Sequence, residues 1–347
     1  MGRLERLNRL LGRLVGLCFL IVLVGIVGAG VWGYHHYMSP GPLQTEANVV
    51  IRPGTNSEEI ARQLAVAGVL SQPAIFRIGV RLEDAGGALR AGEYVFPPRV
   101  SPHQVVEILK SGKTVVRRVT VPEGLTSKQI IALLETTPGL EGAIPAPPPE
   151  GTLLPETYHF SYGDQRKELV ARMSAAMDET LAELWAARAA DLPFNSIHEA
   201  LTLASIVEKE SALPQERPRV AGVFVNRLRK GMPLQADPTV IYAVTDGEGV
   251  LLRPLTRSDL QSPSPYNTYV SGGLPPGPIA NPGRSAIAAV LNPADTDALF
   301  FVADGSGGHA FARTLEDHNR NVARWRQLEA SRQSEAARED TGEQETE

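Results

Sequence analysis

The first hydrophobic stretch of the chain has no period. From Leu14 to Tyr34 no charged residue interrupts it, and about 20 apolar residues in helical geometry cross a ~30 Å hydrocarbon core. This predicts a membrane-spanning helix over 14–34. A cleaved signal peptide would usually have an apolar run of only about 7–15 residues. Here the run continues through Val31-Trp32-Gly33-Tyr34, with aromatics placed as in an interfacial belt, so an uncleaved anchor is the better reading.

Beyond a short stiff tether at Ser39-Pro-Gly-Pro-Leu43 the pattern becomes periodic. Val49-Val-Ile-Arg-Pro-Gly-Thr-Asn-Ser-Glu-Glu-Ile-Ala-Arg-Gln-Leu64 matches Arg118-Val-Thr-Val-Pro-Glu-Gly-Leu-Thr-Ser-Lys-Gln-Ile-Ile-Ala-Leu133 as an internal repeat. Each copy reads as a strand, a Pro/Gly turn and a capped amphipathic helix. Between them Gly92–Phe96 reads as a strand and Ser101–Gly112 as a helix. Lys113-Thr114 after Gly112 is not a phosphate loop, because Glu107 stands where that motif needs Gly. Ala143–Glu150 is a Pro-rich loop. Leu169 to Arg188 is helix-forming, with Met173, Met177, Leu181 and Trp185 at four-residue steps, a core stripe. A further helix is expected from about Gln215 to Arg229, stopped by Gly231.

The stretch that carries chemistry lies between those two helices. Ser196 with Glu199 three residues later is a capping box, and Pro214 predicts an end at Leu213. Leu203, Ile206, Val207, Glu210 and Leu213 recur at three- and four-residue spacing, so Glu210 falls in line with the apolar face. Burial and the negative end of the helix dipole both raise a carboxyl pKa, and a protonated carboxyl near neutral pH is what a general acid requires. Glu208, two positions earlier, lies roughly 200° around the helix, so the two carboxylates do not flank one bond. Two surface charges at a frayed helix end would be the alternative.

Composition excludes several classes. A net charge of −5 gives no reason to expect nucleic acid. The single cysteine, Cys18, lies inside the predicted span, so no intrachain disulfide or thiolate site is available outside it. The seven histidines form no His-Glu-x-x-His or Cys/His cluster, so neither metal nor cofactor is expected. Neither a Gly-x-Ser-x-Gly elbow nor a Ser-x-x-Lys motif occurs. Arg3, Arg6, Arg9 and Arg13 precede the span against only Glu5, which places the N-terminus in the cytoplasm and the remainder outside.

Several segments together resemble the endolytic murein transglycosylases of the YceG-like family. They are Ala-Ser-Ile-Val-Glu-Lys-Glu-Ser (204–211), Val-Ala-Gly-Val-Phe-Val-Asn-Arg-Leu (220–228), Leu-Gln-Ala-Asp-Pro-Thr-Val-Ile-Tyr (234–242), Ser-Pro-Tyr-Asn-Thr-Tyr (264–269), Gly-Leu-Pro-Pro-Gly-Pro-Ile (273–279) and Phe-Val-Ala-Asp-Gly-Ser-Gly-Gly-His-Ala-Phe (301–311). The resemblance runs from the membrane segment to about Trp325. It implies a bacterial lyase of the inner membrane that cuts the N-acetylmuramic acid–N-acetylglucosamine bond of peptidoglycan on the outer side and leaves a 1,6-anhydro end, ending or releasing nascent strands beside the synthases that make them. A hydrolytic muramidase and a non-catalytic glycan-binding scaffold of the synthesis machinery are the alternatives. In lytic transglycosylases generally the catalytic Glu is followed by Ser or Thr, which Glu210-Ser211 fits and Glu208-Lys209 does not. The resemblance also implies a LysM-like module, which either grips glycan or serves as a spacer.

Candidate sugar contacts are Gln235, Asp237 and Tyr242 around a Pro-Thr turn, Tyr266, Asn267 and Tyr269 in a Pro-bounded loop, and His309 in a Gly-rich turn. Glu156 fits either a cleft wall or a surface turn. Tyr rings stack on sugar faces, and amides and carboxylates bond hydroxyls and acetamides. The expected class is α+β: cytoplasmic residues 1–13, the span 14–34, a tether 35–46, the LysM-like module 47–115, an α+β catalytic domain 116–330 and a disordered acidic tail 331–347.

Overall fold

The computed structural model describes residues 2–343, with side chains from 11 to 332. The side chains of Arg3, Arg6 and Arg9, on which the orientation argument rests, therefore lie outside the described residues. The chain divides into two units, Met1–Arg117 with Phe160–Gly163, and Arg118–His159 with Asp164–Glu347.

The first unit begins with helix α1 (Gly2–Met38). Its stretch Leu11–Met38 is long and apolar enough to cross a membrane and is not buried by the protein. Strand β1 (Ala47–Ile51), helices α2 (Ser57–Val66) and α3 (Pro73–Leu82), and strand β2 (Gly92–Phe96) follow in βααβ order, then helix α4 (Pro102–Ser111). β1 and β2 pair antiparallel, with Val49 opposite Tyr94. Phe76, Tyr94, Phe96, Val105 and Leu109 are sealed in the core between them. α3 is absent from the elements expected from the sequence; it begins on Pro73 without a side-chain cap. Residues 160–163 belong to this unit because Ser161 Oγ meets Thr114 Oγ1 at 3.2 Å and Tyr162 lies under the Arg117 guanidinium.

The second unit opens with β3 (Arg117–Thr120), α5 (Ser127–Thr136) and β4 (Thr157–Phe160), with β3 paired to β4. Both copies of the internal repeat thus fold as strand, turn and capped helix, with Asn56 and Thr126 accepting from the backbone three residues on. Then come α6 (Arg166–Ala186), α7 (Ile197–Glu210), α8 (Arg217–Arg229), α9 (Asp237–Val244), the short α10 (Arg257–Leu260), α11 (Arg284–Leu291), the hairpin β5 (Phe300–Ala303) and β6 (His309–Ala312), and α12 (Leu315–Glu343). The described chain is mixed α and β, with only two-stranded sheets.

α7 is enclosed by α8 and α11. Every residue from Ala200 to Glu208 is buried, so this helix is wrapped on all sides instead of presenting one apolar stripe. Met173 and Met177 of α6 are fully buried, as their spacing predicts. α12 extends through residues 331–343, where composition predicts disorder. That segment is rich in Ala, Glu, Arg and Gln, all strong helix formers. Residues 344–347 lie outside the described residues.

Candidate active site

The capping box at the start of α7 forms as the sequence requires, with Ser196 Oγ accepting from Glu199 N at 3.2 Å and Glu199 returning to the Ser196 N–H. The helix ends at Glu210, three residues before the end predicted from Pro214. Ser211 turns to extended backbone (φ −128°, ψ 113°), and its buried hydroxyl donates to Leu213 O. Glu210 is therefore the last helical residue, at the negative end of the dipole.

The two carboxylates of α7 have different fates. Glu208 Oε1 accepts from Arg217 Nη2 at 2.6 Å, and Oε2 accepts from the Gly283 N–H at 3.0 Å. Arg217 also donates to Glu123 at 3.0 Å. A Cβ at Gly283 would fall 1.8 Å from Glu123 Oε1, so the Glu123 side chain would have to shift to admit one. Burial pushes the Glu208 carboxyl upward against the pull of the Gly283 N–H and the guanidinium. Glu208 is fully engaged in an internal ion-pair network.

Glu210 instead lines an open cavity of about 320 Å³, together with Arg227, Gln235, Asp237, Tyr269 and His318, over apolar walls that include Phe300 and Phe301. Burial, and then the neighbouring charge of Asp237, push its carboxyl up to about 8; the Arg227 guanidinium opposes this. Glu210 therefore holds its proton at neutral pH.

Two loops are stitched together to make the wall. Gln235 N donates to Thr268 O at 3.1 Å, Ala236 N donates to Thr268 Oγ1 at 3.0 Å, and the Thr239 and Thr268 hydroxyls meet at 2.9 Å. Gln235 sits in the left-handed region with φ +48°. For a non-glycine residue this costs on the order of 1 kcal/mol or more, and such strain concentrates at ligand sites. The stitching brings Tyr269 Oη to donate to Asp237 Oδ1 at 2.5 Å. Burial and that bond raise the Tyr269 phenol above its ordinary range. Arg227 is buried, with Nε donating to Leu299 O at 2.7 Å and Nη1 to Leu234 O at 2.8 Å, and burial lowers its pKa. His318 stacks on Phe300 with centroids 5.2 Å apart. Burial and the Arg227 charge lower its pKa, and its buried Nδ1 has no hydrogen-bond partner among the described residues.

Of the residues singled out in the sequence, the cavity unites Glu210, Gln235, Asp237 and Tyr269. The others lie elsewhere. Asn267 is wholly buried and donates to the carbonyls of Leu260 and Ser262, while its own Oδ1 accepts from Tyr269 N. It shapes the loop and has no surface for a ligand. Tyr242 and Tyr266 pack on each other, 5.0 Å between centroids, beside the Glu150 carboxyl. His309 pairs through Nδ1 with Glu216 at 2.7 Å and stands edge-on to Phe301, outside the cavity lining. Glu156 is exposed, and its carbonyl accepts from Val121 N, the surface-turn alternative. Arg227 and His318 were missed. Arg227 had a signal: it follows Val220, Val223 and Phe224 on the apolar face of α8, the same misplaced charge that marks Glu210. His318, on a polar helix, had none.

The chain matches the YceG-like family over residues 49–324. It is 31% identical to a protein of Streptococcus pneumoniae (strain D39) named endolytic murein transglycosylase, over 88% of this chain and 64% of that one. It is 33% identical to a protein of the same name from Bacillus subtilis, over 80% of this chain and 84% of the relative. The chain thus spans a little under two thirds of the length of its pneumococcal relatives. A yceG-like protein of Listeria monocytogenes, solved by crystallography, is 31% identical, with 79% of this chain and 98% of that one covered at a TM-score of 0.49.

Proposed function

The chain belongs to the YceG-like family, and on that premise we propose that it is a peptidoglycan lytic transglycosylase with Glu210 as its acid. The observation that carries the reading is a carboxyl pushed up to about 8 in an open cavity. Glu210 protonates the oxygen bridging N-acetylmuramic acid and N-acetylglucosamine as the bond breaks. As carboxylate it then takes the proton of the C6 hydroxyl on the same muramoyl ring, and that oxygen attacks C1. A 1,6-anhydro ring closes, the acid is regenerated, and no water is consumed. Because the attack is intramolecular it gains from proximity. Asp237, held by Tyr269, or the substrate's own acetamide supports the oxocarbenium charge. Gln235, Arg227 and His318 are the polar groups left to bind sugar.

A hydrolytic muramidase is the second reading, favoured by one observation. Asp237 lines the same cavity and would supply the base that activates water. Glu208 is unsuited to that role, since both its oxygens are bonded.

In the same reading α1 stays in the inner membrane as an uncleaved anchor, with its N-terminus cytoplasmic and the catalytic unit outside. The βααβ portion of the first unit serves as a LysM-like module. Its partners are glycan strands and, beside them, the synthases that polymerise them. Purified glycan strands digested by wild type, Glu210→Gln and Glu208→Gln test the assignment. Glu210→Gln is expected to cut about 100-fold more slowly or worse, the usual range for a lost general acid. Full activity in Glu210→Gln, with loss in a folded Glu208→Gln, would reverse the choice of acid.

A further inference from the structure

The first unit carries an apolar groove that the cleavage reaction does not use. α3 runs beside the last turns of α1, and the joint is built. Tyr37 Oη donates to Glu83 Oε1 at 2.6 Å, and the Tyr37 ring covers Gly79, where a Cβ would fall 2.3 Å from the ring. Beside this joint α1 and α3 enclose a cavity of about 480 Å³, lined by Gly30, Gly33, Tyr34, Ile75, Ile78 and Leu82 among others. Two of those side chains are conspicuous on a folded unit, for Ile78 is 59% and Leu82 82% exposed.

The level of this groove along α1 indicates what fills it. Counted from Leu14 at ~1.5 Å per residue, a ~30 Å hydrocarbon core ends close to Gly33. The groove therefore opens where acyl chains meet headgroups. On the adjoining face of α3, Ala74, Arg77, Ile78 and Arg81 share a second concavity. Ile78 borders both. Apolar side chains thus lie against the span, and two guanidiniums lie one step further round the helix. Arg77 reaches Glu58 only at 3.4 Å, in the open. An amphipathic helix with basic residues beside its apolar face is suited to a membrane surface with anionic lipids.

We propose that α3 lies in the outer boundary of the bilayer, with a phospholipid acyl chain in the groove and its phosphate on Arg77 and Arg81. The inference rests on the reading of α1 as a retained membrane anchor. It would fix the first unit against the membrane at two points, the span and α3.

The test uses the full chain with Cys18→Ser and one cysteine carrying a fluorescent label. Labels are placed at Leu82→Cys, at Ile78→Cys in case Leu82 is needed for packing, and at Trp32→Cys in the span. The protein is reconstituted in phosphatidylcholine–phosphatidylglycerol vesicles bearing nitroxide-labelled acyl chains. Labels at 78 and 82 are expected to be quenched to within about twofold of the label at 32. Arg77→Glu with Arg81→Glu is expected to cut quenching at 82 by about threefold or more and to leave 32 unchanged. Quenching at 32 without quenching at 78 and 82 would overturn the inference. So would lipid quenching at 82 that vanishes as protein is crowded into the vesicles, because a second copy's span would then be the occupant. An unquenched label at 32 would overturn the anchor itself, and the inference with it.

Discussion

Replacing Glu210 by glutamine should make the protein more stable as well as inactive, with an excess that depends on pH. The folded protein holds the proton of Glu210 up to about 8, whereas the ordinary value is 4.5. Unfolding at neutral pH therefore releases a proton, so stability falls as pH rises from 4.5 through 8. Two pH units inside that window, from 5 to 7, correspond to about 2.5 kcal/mol at ~1.4 kcal/mol per unit. Glutamine keeps the shape and has no proton to lose. The gap between Glu210→Gln and wild type should thus be small at pH 5 and on the order of 3 kcal/mol at pH 7. At roughly 2–4 °C per kcal/mol, that is a rise in Tm of about 6–12 °C. Differential scanning calorimetry of both proteins in detergent from pH 5 to 9 reads it directly, since every other titrating group is common to the two. Parallel Tm–pH curves would show that Glu210 ionises freely in the folded protein, and the reasoning would fail.

Three further outcomes are expected. Glycan cleavage by wild type should fall as pH rises through about 8, because the acid loses its proton there; a rate limb set instead near the ordinary carboxylate range would contradict this. Arg217→Ala strands the buried Glu208 carboxylate without its 2.6 Å partner and should cost about 3–5 kcal/mol, read as a lower Tm or poor expression; an unchanged Tm would refute the network's role. Tyr269→Phe removes the donor to Asp237 and should slow cleavage about tenfold, from the ~1.5 kcal/mol of a hydrogen bond to a charged group, with Tm lowered by no more than about 3–6 °C; wild-type kinetics would dismiss Asp237 as a participant.

Spacing nominated Glu210 as the acid for a reason that the structure matches only in part. Spacing put Glu210 in line with Leu203, Ile206 and Val207, but α7 is buried on every side. What separates Glu210 from Glu208 is the partner each meets across the fold. Glu208 finds Arg217 and the Gly283 N–H, one nearby in sequence and one distant, while Glu210 reaches a cavity. A local signal such as the capping box at Ser196 was legible because its atoms lie three residues apart, and the same arrangement forms at Ser101 and Thr126. Asn267 and His309 fall outside the cavity, since polar type alone does not tell a cavity-lining group from a carbonyl cap or an ion pair. α3 was overlooked because it starts on Pro73 with no side-chain cap to mark its beginning. His318 joins the site only through the packing of α12 on β5, a long-range contact without a local pattern.

Cleavage without water is the central claim, and glycan digestion in heavy-oxygen water tests it most directly. Mass spectrometry of the new muramoyl ends should find them one water lighter than reducing ends and free of heavy oxygen, and these products should be missing from the Glu210→Gln digest. Reducing ends that carry the heavy oxygen would show that water attacks C1, and the account of Glu210 as both acid and base in an intramolecular closure would be wrong.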